Sequence, residues 1–320
     1  MPNRRVGMLA LVGGFWVAPP ACARAPSAKT HRIGILCPDS ENLSFFVRAL
    51  RDAGYEDGRN AQIVYRRWSA SPDELDALAA ELVAARVDVI AASSTFEIKA
   101  AKRATGTIPI VMMYGLAPVE LGLVSSLAQP GGNVTGTVAV PREMVGKSIE
   151  FFLEAVPRLR RVAVLVDTNP WGKIYWFEAE RIGRARGIAS QLMEIANAEG
   201  LNSGFAELTR HPPDGLLVAA TLAPHEREII DFAASQRLPA MYGDIASVHN
   251  GGLMAYGPNL PLVYTRAAAI VDKIIRGARP QDIPVEEPTR LILAVNETTA
   301  AGLALKFPQS LLTRVDLTFR

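Results

Sequence analysis

Residues 72–95 read PDELDALAAELVAARVDVIAASST, and this stretch decides the fold. Leu75, Leu78, Ala79, Leu82 and Val83 recur at helical spacing, which predicts a helix over 72–86. Its start is explicit: Ser71 can cap, Pro72 suits the first helical position and Glu74 completes a capping box. Directly behind it, 87–92 (VDVIAA) is a short apolar run of the kind found in strands buried on both faces. Ser93-Ser94-Thr95 then opens another helix, with Glu97 three residues after Ser94. Helix, strand and helix in such close succession imply a parallel sheet with right-handed crossovers.

The alternation continues in both directions. Apolar runs stand at 33–37, 109–114, 162–166, 215–220, 238–242 and 291–295. A second clear helix covers 259–276, with Leu262, Val263, Ala267, Ile270, Val271, Ile274 and Ile275 on one stripe and Gly277 as its stop. The series breaks near 129–142. Gln129-Pro130-Gly131-Gly132-Asn133 is a turn cluster, Val134 to Val140 is extended, and a new helix starts after Pro141. This predicts an α/β protein of two Rossmann-like lobes, each a parallel sheet flanked by helices; one large sheet with an irregular loop is the alternative. No period of 20–50 residues repeats, which excludes a solenoid.

Composition narrows the function. The chain has 320 residues, 49% hydrophobic and 21% charged, as expected of a globular protein of about two domains. Basic residues number 34 and acidic residues 32, so no surplus of positive charge exists to hold nucleic-acid phosphates. Two cysteines build neither a disulfide framework nor a four-cysteine zinc site, and His31, His211, His225 and His249 lack metal-ligand spacing.

Residues 1–25 have the layout of a secretory signal peptide: Arg4-Arg5, an apolar run over 6–18, then Pro19-Pro20 and the small-residue site Ala21-Cys22-Ala23. The run is short of the about 20 residues that span a bilayer. A buried core helix, a twin-arginine signal and lipidation at Cys22 are poorer readings. Cleavage near Ala23 or Ala25 removes Arg4, Arg5 and Cys22, leaving Cys37 as the single thiol of an exported chain that must rest on packing. Cys37 itself ends the first apolar run, where a buried thiol is the plain explanation.

Catalytic motifs are missing. Gly146-Lys147-Ser148 resembles the end of a phosphate-binding loop, but position 141 is Pro where that motif needs Gly. Cys37-Pro38-Asp39-Ser40 stands after the first strand in place of a dinucleotide glycine fingerprint. GxSxG, HExxH and CxxC do not occur, so neither a cofactor nor catalysis is expected. What stands at the strand ends is binding chemistry: Ser40; Ser93, Ser94 and Thr95; Tyr114 and Gly115; Asp167 and Asn169; Thr221; Tyr242 and Asp244. In open parallel sheets ligands sit beyond the carboxyl ends of the strands. Ser94 and Asn169 also read as plain helix caps, and Asp167 as a turn acid.

Several segments resemble the solute-binding proteins of ABC importers, in the group that includes tryptophan- and tyrosine-type binders. They are Arg32-Ile33-Gly34; Arg67-Trp68; Pro118-Val119 with Gly122-Leu123-Val124 and Ser126-Leu127; Pro130 to Gly136; Gly251-Gly252-Leu253-Met254 with Tyr256-Gly257; and Ile283-Pro284-Val285 with Pro288-Thr289. The resemblance implies a type I periplasmic-binding fold with a ligand cleft between two lobes and crossings near 138, 255 and 284. The lobes are then 30–138 with 255–283, and 139–254 with 284–320. It implies capture of a small solute by hinge closure, Tyr256 included in the site, and delivery by a periplasmic monomer to an inner-membrane permease. A sensory subunit and an exported enzyme on the same scaffold are the alternatives. Two positions depart from the family: Ala117 replaces its usual Asp before Pro-Val, and Asp167 its frequent Asn.

Overall fold

The computed structural model describes residues 30–38, 42–68, 74–138 and 143–320. The signal-peptide reading, Cys22, Ser40, Ser71 and Pro72 lie outside the described residues, as does the crossing after Val138. Five strands form the first sheet: β1 (His31–Pro38), β2 (Ala61–Trp68), β3 (Val89–Ala92), β4 (Ile110–Gly115) and β5 (Val134–Val138). Seven form the second: β6 (Arg161–Asp167), β7 (Ala189–Ile195), β8 (Gly215–Val218), β9 (Ala240–Tyr242), β10 (Met254–Pro258), β11 (Leu291–Asn296) and β12 (Leu317–Phe319). The orders are β2-β1-β3-β4-β5 and β12-β11-β10-β9-β8-β6-β7. Neighbouring strands run parallel except β10 and β11. The chain is therefore two α/β lobes.

The helices are α1 (Leu43–Asp52), α2 (Leu75–Ala84), α3 (Thr95–Ala104), α4 (Glu143–Ala155), α5 (Pro170–Ala185), α6 (Ala198–Arg210), α7 (Glu226–Ser235), α8 (Ala246–His249), α9 (Leu260–Ile275), α10 (Glu297–Gly302) and α11 (Gln309–Leu312). The helix expected over 259–276 is α9, and Asn259 caps it by accepting from the Leu262 N–H. Most of the stripe read from its sequence is its buried face: Ala267, Ile270, Val271 and Ile274 pack with Ile33, Ile35, Val89 and Val111 of the first sheet, and Val263 is buried too, whereas Leu262, also read on the stripe, is exposed.

Four strands do not show as apolar runs. β2 is the edge of the first sheet and carries Gln62, Arg66 and Arg67; β7 is an edge of the second and alternates Ser190, Gln191 and Glu194 with apolar residues. Edge strands face solvent on one side and need no continuous apolar sequence. β10 contains Gly257 and Pro258, and β12 is three residues long.

β10 belongs to the second sheet, and the chain returns to the first between Pro258 and Leu260. It stays there past Ile283 and Val285, both buried in the first lobe's core, and re-enters the second sheet at Leu291.

Candidate functional site

Each sheet has a place where the strand order reverses and the chain leaves two adjacent strands toward opposite faces. In the first sheet these strands are β1 and β3: α1 follows one and packs in the core with α9, while α3 follows the other in the core with α2. In the second they are β6 and β8, followed by α5 on one face and α7 on the other. Divergence at such a switch point opens a crevice beyond the strand ends. Among the described candidates, Ser93 to Thr95, Asp167, Asn169 and Thr221 follow the strands at these two points.

On the first lobe the centre is Glu97, fully buried at 0% exposure. It accepts hydrogen bonds from Trp68 Nε1 at 2.8 Å, Ser93 Oγ at 3.0 Å, the Ser94 N–H at 3.1 Å and Ser94 Oγ. The capping box expected for Ser94 and Glu97 is present. The box is also the core of a larger knot joining the end of β2 to the β3–α3 turn. Thr95 Oγ1 accepts from the Leu116 N–H at 3.3 Å, holding the loop after β4 against α3.

β4 carries a register shift between Met112 and Gly115. Thr137 Oγ1 fills the bulge, donating to the Met113 carbonyl at 2.7 Å, with the Met112 carbonyl at 3.3 Å. Bulges beside binding sites re-aim side chains. Here Tyr114, Leu116 and Ala117 reach the other lobe, packing with Met144, Val145, Trp171 and Tyr175. Ala117 has φ +43° in this contact, a left-handed conformation that costs an L-residue with a Cβ.

On the second lobe Asp167 ends β6, and Asn169 fixes it from two sides. Asn169 Oδ1 accepts from the Gly172 N–H at 3.0 Å, capping α5, while its Nδ2 donates to Asp167 Oδ2. The turn admits only Gly at 172, since a Cβ there would stand 2.0 Å from the Asp167 carbonyl oxygen. Burial pushes the Asp167 carboxyl above its usual range; the adjacent Thr221 hydroxyl and the Asn169 amide pull it back. Even so, Asp167 Oδ1 and Thr221 Oγ1 are buried without an aligned hydrogen bond. These two orphaned oxygens straddle the β6–β8 switch point.

Asp244 follows β9 and accepts from the Ala246 N–H at 3.0 Å. Burial raises its carboxyl and that of Glu226, to which the Asp244 charge adds. Across the lobes its charge also raises the hydroxyls of Tyr114 and Tyr264, each already pushed up by burial. Asp244, Glu226, Tyr242 and Ser247 line one notch of the second lobe. The Asp244 charge thus acts on Tyr114 from the opposite lobe, while Asp167, Asn169 and Thr221 stand together on one. Tyr256 lies apart: its ring packs edge-to-face on Phe151 at 5.0 Å, and the charge acting on its hydroxyl is Asp316. Sequence reasoning missed Glu97 as a buried hub, and it missed Trp171, Tyr264 and Glu226. Trp171 had a signal in the Asn169-Pro170 helix start before it; Tyr264 reads only as part of the α9 stripe.

Among the described residues no group of His, Cys, Asp and Glu could hold a metal, and no helix is long and apolar enough to cross a membrane. The chain is 27% identical over 269 residues to the tyrosine-binding protein of Clostridioides difficile, covering 82% of this chain and 76% of that one. Its fold matches an ABC domain in complex with L-Trp from Streptococcus pneumonia (TM-score 0.84, 20% identity, 91% of this chain and 100% of that one). It also matches a conserved domain protein of Vibrio cholerae (TM-score 0.83, 23% identity, the same coverages). The family model for ABC transporter substrate binding proteins matches residues 40–318, and the chain belongs to that family.

Proposed function

We propose that the chain captures a small solute carrying an ammonium group, an amino acid or an aromatic amine, in the cleft between its lobes. The observation that carries this reading is the Asp167–Thr221 pair. Asp167 Oδ1 is buried without an aligned partner, and the Thr221 hydroxyl beside it offers a single O–H, so the carboxylate still favours an arriving donor. A cationic donor suits Asp167 best, and charge-assisted bonds are roughly twice as strong as neutral ones. Asp244 adds a second carboxylate beside Tyr114 from the facing lobe, so a bound solute touches both lobes and favours their closure. The tyrosine-binding relative supports an amino-acid ligand.

In this reading the protein returns its ligand unchanged, acts outside the cytoplasm after removal of residues 1–25, and passes the solute to a permease as a monomer. The lobes divide at the sheet changes, near 258–260 and 286–291. A thermal-shift screen across amino acids, aromatic acids and purines tests it, because a ligand that binds only the folded state raises the melting temperature. Amine-bearing compounds should raise it and lose the effect in Asp167→Ala. A response confined to carboxylates lacking an amine, such as benzoate, would refute the ammonium assignment.

A further inference from the structure

The return from the first lobe to the second, residues 283–291, is tied down at both ends. Ile283 accepts from Thr135 Oγ1 at 2.7 Å, and the Val285 N–H donates to the Leu127 carbonyl at 2.8 Å. The Glu286 N–H donates to the Gly136 carbonyl at 2.9 Å, while the Glu286 carbonyl accepts from the Val138 N–H at 2.9 Å. Glu286 is thus an extra rung on β5. Its carboxylate receives a two-pronged bond from Arg266 of α9, at 2.7 and 2.8 Å, with Lys273 at 3.6 Å. That carboxylate raises the affinity of the Arg266 guanidinium for its proton. At the other end Arg290 pairs with Asp316 at 3.1 Å, and Asp316 also accepts from the Leu293 N–H of β11 at 3.0 Å. Between these two knots stand Glu287, Pro288 and Thr289, none of them buried.

We propose that Glu286 and Arg290 are paired anchors. In this crossing they confine the movement to Glu287-Pro288-Thr289 and so help set ligand affinity from outside the cleft. The proposal rests on the two-lobe capture reading and adds where that motion is held. Pro288 fixes its own φ and restricts Glu287 to extended backbone, so the free segment is a short stiff link and not a loose loop. A cavity of about 600 Å³ borders it, lined by Val138, Leu262, Val263, Pro288 and Thr289 among others. Close-packed interiors resist displacement, and this open space leaves the link room to turn. Both anchors are ion pairs near the surface, where salt screens them. The breadth of lobe positions therefore depends on ionic strength even when the solute is neutral overall.

The test measures the distance between spin labels at Phe45→Cys on the first lobe and Phe177→Cys on the second, in the ligand-free protein. Both native side chains are exposed and Cys37 is buried. Glu286→Gln and Arg290→Gln should each broaden the distribution, and high salt should broaden that of the labelled parent in the same way. Arg279→Gln breaks an ion pair with Asp282 inside a single loop and should leave it unchanged. Distributions in both anchor variants that match the parent overturn the proposal. If a variant fails to fold, the salt series on the parent decides alone, and a salt-independent width overturns it. These readings need no solute, so they stand apart from any failure of the ammonium assignment. With L-tyrosine as probe, Glu286→Gln should shift affinity by about two- to fivefold, the weight of a surface ion pair.

Discussion

Replacing Asp167 by Asn should raise stability and lower affinity together. The side chains have the same shape, so the Asn can keep its Oδ1 toward the Asn169 amide, which now donates to Asp167 Oδ2. Its new N–H₂ then stands where Asp167 Oδ1 stands, beside the Thr221 hydroxyl, whose oxygen can accept from it. One hydrogen bond gained inside a protein contributes about 0.5–1.5 kcal/mol. The relief of a desolvated charge adds little, because Asp167 keeps part of its surface in solvent and screening weakens the effect. At roughly 2–4 °C per kcal/mol for a domain of this size, ligand-free melting should rise by a few degrees. Affinity should move the other way. Loss of a hydrogen bond between charged groups costs about 1.5–3 kcal/mol, or roughly 10- to 150-fold in Kd. Titration calorimetry with the best amine found by screening, alongside melts of both ligand-free proteins, reads the two changes. A variant that melts lower and binds equally well would show that Asp167 belongs to the turn and not to the ligand.

Glu97→Ala strips the acceptor from Trp68, Ser93 and Ser94 at once and should cost about 3 kcal/mol in urea unfolding, given roughly 1–3 kcal/mol for each unsatisfied buried group; a change under about 0.5 kcal/mol would place it among ordinary surface sites. Ala117→Gly should stabilise by about 0.5–1 kcal/mol, since glycine removes the left-handed strain at φ +43° and returns part of that in unfolded-chain entropy; a lower melting temperature would mean the Ala117 methyl matters more than its backbone. The raised carboxyls of Asp167 and Asp244 fix two opposite pH trends. The folded state holds their protons more tightly than the unfolded state, so ligand-free stability should rise as pH falls through the raised values toward 3.8, while affinity for an amine should fall over the same window. Parallel trends in melts and calorimetry would contradict this, and Asp167→Asn with Asp244→Asn should flatten the stability trend.

Much of the architecture was legible because buried parallel strands must be apolar on both faces. VDVIAA at 87–92 can hardly be anything else, and the stripe on α9 announces a packed helix. The edge strands β2 and β7 were not legible by the same logic, since one side of each meets water. The site was readable as far as strand ends locate it: Asp167, Thr221, Asp244 and Tyr114 all stand just beyond or within a strand's last turn. What one-dimensional reasoning could not supply was pairing across distance. Glu97 and Trp68 are 29 residues apart and meet only because β2 and β3 flank β1. Tyr114 feels the Asp244 charge only through the approach of two lobes.

The placement of α9 bears on how the chain is made. The first sheet is complete by Val138, yet the face bearing Ile33, Ile35, Val89 and Val111 is covered by a helix ending at Ile275. During synthesis that apolar face has α1 but not α9 as its cover while well over a hundred further residues emerge. Contacts so distant in sequence are slow to form, because their loop-closure entropy is lost before any packing compensates it. Full packing of the first lobe therefore waits for α9. The first lobe, though its strands come first, is thus among the last parts of the chain to complete its packing.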